Sequence, residues 1–203
     1  MIINLCFHGI GTIDHEREDG ESRYWVTPDR FLRILDEVRE SPNVRLSFDD
    51  GNRSDAEVAF PALRERALRA SFFALAGRLN DPASLSPSDL REFRSAGMEI
   101  GSHGWAHTPW RGLGEEEARG GGIDDAALPL GRYDRQLLGR LARTGYRTVY
   151  TSDRFPARSS AWLQARYSVT AGDTAESIHS VIGHRAGVRD ARNLLASTVK
   201  RIR

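Results

Sequence analysis

The sequence predicts an α/β fold, a small, distorted or incomplete (β/α)7 barrel, and three observations carry that prediction. Short apolar, β-rich runs alternate with stretches of helical periodicity along the chain. That alternation implies parallel strands joined by right-handed helical crossovers. Seven such strands fit into 203 residues, a length that suits one domain spanning 1–203. An open doubly wound sheet is the alternative. In both architectures ligands bind beyond the carboxyl ends of the strands.

The first strand is Ile2 to Phe7, a continuous buried-type run. Phe31, Ile34, Leu35 and Val38 then recur at helical spacing, with Thr27 or Asp29 as the cap. Val44 to Phe48 is the second strand, 55–67 a helix, and Ala70 to Leu75 the third strand. Ser86 opens a helix, with Asp89 at capping-box distance, that runs to about Ala96. Gly97 stops it, and Met98 to Ser102 is the fourth strand. Glu115 to Arg119 reads as a short helix broken by Gly120-Gly121-Gly122, and Ala126 to Leu130 as a strand end. An amphipathic helix follows Gly131, with Tyr133, Leu137, Leu138 and Leu141 on one face. Arg147 to Thr151 and Arg166 to Thr170 complete the strands, and a last helix covers about Arg189 to Lys200.

Composition excludes several functions. Lys and Arg number 29 against 28 Asp and Glu, a net charge of +1, which argues against nucleic acid as a partner. No apolar run is long enough for a transmembrane helix. The start, Met-Ile-Ile-Asn-Leu-Cys-Phe-His, has no basic n-region and no cleavage site. The expectation is therefore a cytoplasmic protein, with association at the cell envelope as the alternative. One cysteine, Cys6, rules out an internal disulfide and a cysteine-rich zinc site. Lys200 is the only lysine and stands three residues from the C-terminus, which removes P-loop and Schiff-base chemistry. Chemistry is left to His, Asp, Glu, Ser, Tyr, Arg or a metal.

The polar residues fall where the barrel rule wants them. The first strand runs into His8, the second into Asp49-Asp50-Gly51, the fourth into Ser102-His103 with His107 following, and the sixth into Asp153. Asp-Gly alone is a common turn pair. His103 and His107, at i and i+4, share one face if 103–107 is a helical turn, and they can then offer two imidazole nitrogens to one Zn²⁺. Alone, such a pair is as well read as two surface or capping histidines. A catalytic zinc site typically has three protein ligands and an open position for water. Asp50 can supply the third ligand, which leaves Asp49 free beside the metal as a base.

Leu46-Ser47-Phe48-Asp49-Asp50-Gly51 resembles the first motif of the polysaccharide deacetylases, the NodB-homology fold of carbohydrate esterase family four. Gly101-Ser102-His103-Gly104-Trp105-Ala106-His107 resembles their second motif, and Pro129-Leu130-Gly131-Arg132-Tyr133-Asp134 the core of their third. Thr151-Ser152-Asp153 lies where the fourth belongs, and Phe7-His8-Gly9-Ile10 and Tyr24-Trp25-Val26 are similar to segments that precede the domain. The likeness spans roughly residues 3 to 155. It implies a NodB-type barrel, a divalent metal (Zn²⁺ as first choice) on Asp50, His103 and His107, and Asp49 as catalytic base. It further implies a carbohydrate substrate and removal of its N- or O-linked acetyl groups, with backbone N–H groups near Leu130 holding the oxyanion.

Two family residues are missing. Ala127 stands where the third motif usually has an arginine, and no Leu-x-His matches the late motif that carries the general acid. Arg166, on the last strand, is the candidate to hold Asp49. His8, on the first strand, is the candidate acid, since an unperturbed imidazole titrates near neutrality; a plain strand-end histidine is the other reading. His15, His179 and His184 read as surface positions. Tyr24-Trp25 and Trp105 with Trp110 read equally as sugar-stacking or buried aromatics. The tail from Arg185 to Arg203 reads as a solvated basic helix. Two other functions fit the same residues: hydrolysis of another non-peptide C–N bond such as a small cyclic amide, and a non-catalytic carbohydrate-binding domain. Nothing in the sequence sets the oligomeric state.

Overall fold

The computed structural model describes residues 1–111, 123–183 and 188–202. The expected helix at 115–119, the glycine break after it and His184 lie outside the described residues. Strand β1 (Ile3–Phe7) is buried along its whole length. Two short strands, β2 (Gly9–Ile10) and β3 (Trp25–Val26), pair in parallel as a separate small sheet that the sequence reading did not anticipate. Two-residue strands carry no periodicity. Helix α1 (Pro28–Val38) is capped by Thr27, whose side chain accepts from the Arg30 N–H, and buries Phe31, Ile34, Leu35 and Val38.

Strand β4 (Val44–Asp50) leads to a π-helical turn over Asp55–Ala59 that continues into α2 (Phe60–Glu65). After β5 (Ala70–Ala74), α3 (Pro87–Ser95) starts with the expected capping box of Ser86 and Asp89. Then come β6 (Glu99–Ser102), β7 (Asp125–Ala127), α4 (Arg135–Arg143, capped by Asp134) and β8 (Thr148–Thr151). The expected last strand is corrected. It begins earlier and splits into β9 (Leu163–Ala165) and β10 (Tyr167–Ser168), with Arg166 between them. Helices α5 (Ala175–Ile182) and α6 (Val188–Ile202) close the chain. The sequence reading missed α5 because it buries a single residue, Ile178, so its periodic signal is weak.

The main sheet runs β10-β1-β4-β5-β6-β7-β8-β9, every neighbouring pair parallel. Its two ends, β9 and β10, are one chain segment broken only at Arg166. That segment is the seventh stave, pairing with β8 on one side and β1 on the other. The backbone at the break stays tied to β8, since the Arg166 N–H donates to the Thr151 carbonyl at 2.9 Å. The result is a small, nearly closed barrel of the NodB type.

Side-chain alternation divides the barrel into two environments. Phe7, Phe48 and Phe72 point out under the helices and stack on one another, with ring centroids 5.4 and 4.8 Å apart. Phe31, Phe60 and Phe93 from the helices close over this row. Burying each such ring contributes about 1.5–3 kcal/mol. The inward face carries Ser47, Asp49, Phe73, Tyr150 and Arg166, and the Arg166 guanidinium lies 5.3 and 5.6 Å from the Phe73 and Tyr150 ring centroids. A charged residue in a barrel interior needs partners, and those partners lie at the carboxyl end. Among the described residues, no helix is long and apolar enough to cross a membrane.

Candidate active site

Asp49 and Asp50 are consecutive strand residues, so their side chains should point to opposite faces. Asp50 sits at φ 72, in the left-handed region, which aspartate tolerates better than most residues. That turn brings both carboxylates to the same rim. His103 follows β6 and His107 comes four residues later, but 103–107 is not helical, which corrects the expected helical turn. Gly104 takes φ 94, and an added Cβ there would sit 2.5 Å from the Trp110 indole nitrogen. The glycine bends the loop so that the two imidazole centroids lie 5.1 Å apart.

Each histidine is oriented by its Nδ1. His103 Nδ1 lies 2.8 Å from the Ala127 carbonyl oxygen and His107 Nδ1 2.6 Å from Glu18 Oε2. A carbonyl and a carboxylate only accept, so both Nδ1 atoms carry a proton and both rings turn their Nε2 atoms the other way. The two Nε2 atoms face Asp50 Oδ1 at 3.5 and 3.6 Å. Asp50 Oδ1 is buried and has no hydrogen-bond partner among the described residues. Burial lowers the pKa of His103 by more than the Asp49 and Asp50 carboxylates raise it, which keeps the ring neutral. An orphaned buried carboxylate oxygen between two imidazole Nε2 atoms is a donor set that fits a divalent cation.

Asp49 lies on the other side of the group, its Oδ2 3.8 Å from His103 Nε2. Arg166 grips it with two parallel bonds, 2.7 Å to Oδ1 and 2.6 Å to Oδ2, and gives a third bond of 3.1 Å to Ser47 Oγ. Burial pushes the Asp49 carboxyl up, but Arg166, with His103 and His8, outweighs it and holds the group well below the usual carboxylate range. Asp49 is therefore ionised and fixed in orientation.

His8 is half-buried, with its ring centroid 4.8 Å from that of Tyr24. Its side chain groups with Cys6 and Asp49, their nearest ligand-type atoms all within 4.8 Å of one another. His8 Nδ1 is buried with no hydrogen-bond partner among the described residues. His8, Asp49, Asp50, His103, His107 and Arg166 all line one cavity of about 430 Å³ at the carboxyl ends of the strands. A larger cavity, about 770 Å³, opens at the amino ends around Asn4, Arg45 and Tyr150 and holds none of these donors.

Other expectations come out differently. Asp153 is corrected: it does not line the 430 Å³ cavity but is buried in a separate cluster with Tyr133, Thr151 and Lys200. Trp110 is 3% exposed and packs in the core near Tyr146, so it offers no sugar platform, whereas Trp105 is 75% exposed. His15 is exposed, and His179, also exposed, pairs with Glu37.

Three residues escaped the sequence reading. Glu18 orients His107 and is itself held by Arg78 at 3.1 Å. Glu18 reaches the site from a loop and Arg78 from a one-turn 3-10 helix, neither with a repeating pattern, so nothing in the sequence marks them. Asp55 is fully buried with both oxygens unpartnered among the described residues. Burial first, then the Asp50 and Asp49 carboxylates, push its carboxyl well up, which favours its neutral form.

Residues 36–120 match the family model described as polysaccharide deacetylase. YxkH of Bacillus subtilis (strain 168), provisionally described as a polysaccharide deacetylase, is 24% identical over 140 residues, covering 62% of this chain and 50% of YxkH. The chain thus spans about half the length of that curated relative. The Streptococcus pyogenes deacetylase PplD, solved in complex with acetate, superposes with a TM-score of 0.75 at 19% identity, over 90% of this chain and 98% of that one. IcaB from Ammonifex degensii gives 0.75 at 20% identity, over 90% of this chain and 97% of that one. A polysaccharide deacetylase from Bacillus cereus gives 0.75 at 17% identity, over 89% and 68%. At these identities the likeness to solved structures is one of fold.

Proposed function

We propose, from the polysaccharide deacetylase signature that the chain carries over residues 36–120 and the fold that goes with it, that this protein is a metal-dependent hydrolase. Its reaction is removal of acetyl groups from an N- or O-acetylated saccharide. One observation carries the reading above the others. A buried Asp50 oxygen with no hydrogen-bond partner among the described residues faces the Nε2 atoms of two imidazoles, and a second carboxylate, Asp49, is locked beside them by arginine.

Asp50, His103 and His107 would hold the cation, with Zn²⁺ suited to two nitrogens and one oxygen. The bound cation would acidify a water and polarise the acetyl carbonyl. The chain's own residues do the rest. Asp49 accepts the proton of the attacking water. Its low pKa keeps it ionised at any working pH but makes it a weak base, which is why the water has to be acidified first. Arg166 keeps Asp49 pointed at that water, the task that the absent arginine at Ala127 would otherwise serve. His8 stands on the same cavity with an unpartnered Nδ1 and is the group placed to return a proton to the leaving amine or alcohol. The turn at Pro129–Gly131 adds Leu130, at φ 55, and Gly131 to the cavity lining.

The test is acetate release by zinc-loaded protein from chitooligosaccharides, acetylated xylan and an acetyl-ester reporter. Asp49→Asn should keep its metal and lose ~10²–10⁴-fold in turnover on every substrate that the wild type uses. No acetate from any substrate, or unchanged kcat in Asp49→Asn, would reject the hydrolase. Ring opening of a cyclic amide to its amino acid, with no acetate released from the acetylated substrates, would favour the other C–N hydrolase.

A further inference from the structure

The sole lysine of the chain is placed where its position in the sequence gives no hint of it. Helix α6 carries Lys200 onto the end of β8, where its ammonium donates to Asp153 Oδ1 at 2.7 Å and to the Gly131 carbonyl at 3.3 Å. It also lies 5.1 Å from the Tyr133 ring centroid. Asp153 is a shared node. Its Oδ2 accepts from the Tyr133 hydroxyl at 2.6 Å and from the Thr151 hydroxyl at 2.8 Å. The Tyr133 oxygen lies 2.9 Å from Ser197 Oγ, a second point of attachment for the same helix. Asp153, Tyr133 and Ser197 are buried, while the Lys200 side chain is 37% exposed.

The segment gripped by this network is strained. Leu130 and Gly131 are consecutive residues at positive φ, 55 and 58. Glycine accepts that conformation and leucine does not readily, so the surrounding contacts must hold it. The space is also tight, since a Cβ added to Gly131 would fall 2.1 Å from Ser152 Oγ. Leu130 and Gly131 line the 430 Å³ cavity with the metal-type donors. The Lys200 bond to the Gly131 carbonyl therefore pins a cavity wall from behind.

We propose that Lys200 is a positioning residue: together with Asp153 it holds the 129–131 turn in its strained form and so sets the wall against which the acetyl group is bound. The assignment of that wall to the acetyl group rests on the function proposed above, whereas the clamp itself rests on the bonds alone. The C-terminal helix then supports the site, although none of its described residues lines the cavity.

The experiment compares zinc-loaded wild type, Lys200→Met and Lys200→Arg by amide hydrogen exchange and by kinetics. In Lys200→Met, exchange across 128–133 should accelerate several-fold while the strands β4 and β6 and the zinc content stay unchanged. On the best acetylated substrate kcat should fall ~10–100-fold with KM changed little, the expected size for a displaced positioning group. The preference for acetyl over propionyl esters should shrink, because a loosened wall excludes the longer chain less well. Lys200→Arg, which keeps the charge, should recover most of the protection and of the acyl preference. A merely structural helix anchor would lower stability and leave the acyl preference intact, and that result overturns the proposal. So does unchanged exchange across 128–133, or an equal loss of protection over the whole chain in both variants. If the wild type releases no acetate, the functional reading fails, while the exchange data still decide the clamp.

Discussion

Arg166 is a buried arginine whose main partner is one carboxylate. It is 2% exposed, and its guanidinium is satisfied chiefly by both oxygens of Asp49. Two charges buried this deeply are tolerable only as a pair. Arg166→Met should therefore destabilise the protein by about 3–5 kcal/mol, because it leaves the Asp49 carboxylate buried and uncompensated. The double variant Asp49→Asn/Arg166→Met should be more stable than Arg166→Met alone. Denaturant titration of the set checks this, and additive losses would show that the two side chains do not depend on each other. The residue and its strand are legible in the sequence, because Ala127 leaves the base without the arginine that the resemblance implies and the last strand ends on the same rim. The position is not, since Arg166 occupies a break between β9 and β10 and not a strand end.

At the scale of elements, the site is assembled by strand ends but aimed by loops. The carboxyl ends of β4 and β6 bring Asp50 and His103 within reach of each other, and this much follows from alternation of strands and helices. The histidine pair was expected on one helical turn, and Gly104 shows why it is not: at φ 94 the chain turns sharply, and the indole of Trp110 fills the space that a side chain would need. The loop between β2 and β3 is the least legible element and contributes Glu18. Its carboxylate fixes the His107 tautomer from 89 residues away in sequence. Glu18→Gln replaces that acceptor with an amide and should weaken zinc binding ~10–100-fold, the usual effect of losing the partner of a ligating histidine. A competition titration with a chromophoric chelator reads this directly, and an unchanged zinc affinity would make Glu18 a loop-packing residue only.

For the whole molecule, the barrel explains why motifs spread over more than a hundred residues meet on one rim. Parallel strands all deliver their carboxyl ends to the same side. Reading that rule along the sequence places His8, Asp49, Asp50 and His103 together, and all four line one cavity. Asp153 is the exception, because a strand end can equally face a neighbouring helix, and here that helix is α6. Everything chemical in this account depends on one claim, that Asp50, His103 and His107 together hold a divalent cation. Calorimetric zinc titration of chelator-stripped protein, set against His103→Ala/His107→Ala, tests it most directly. One zinc per chain is expected for the wild type and no stoichiometric zinc for the double variant. Full occupancy retained without the two histidines, or none in the wild type, would contradict it.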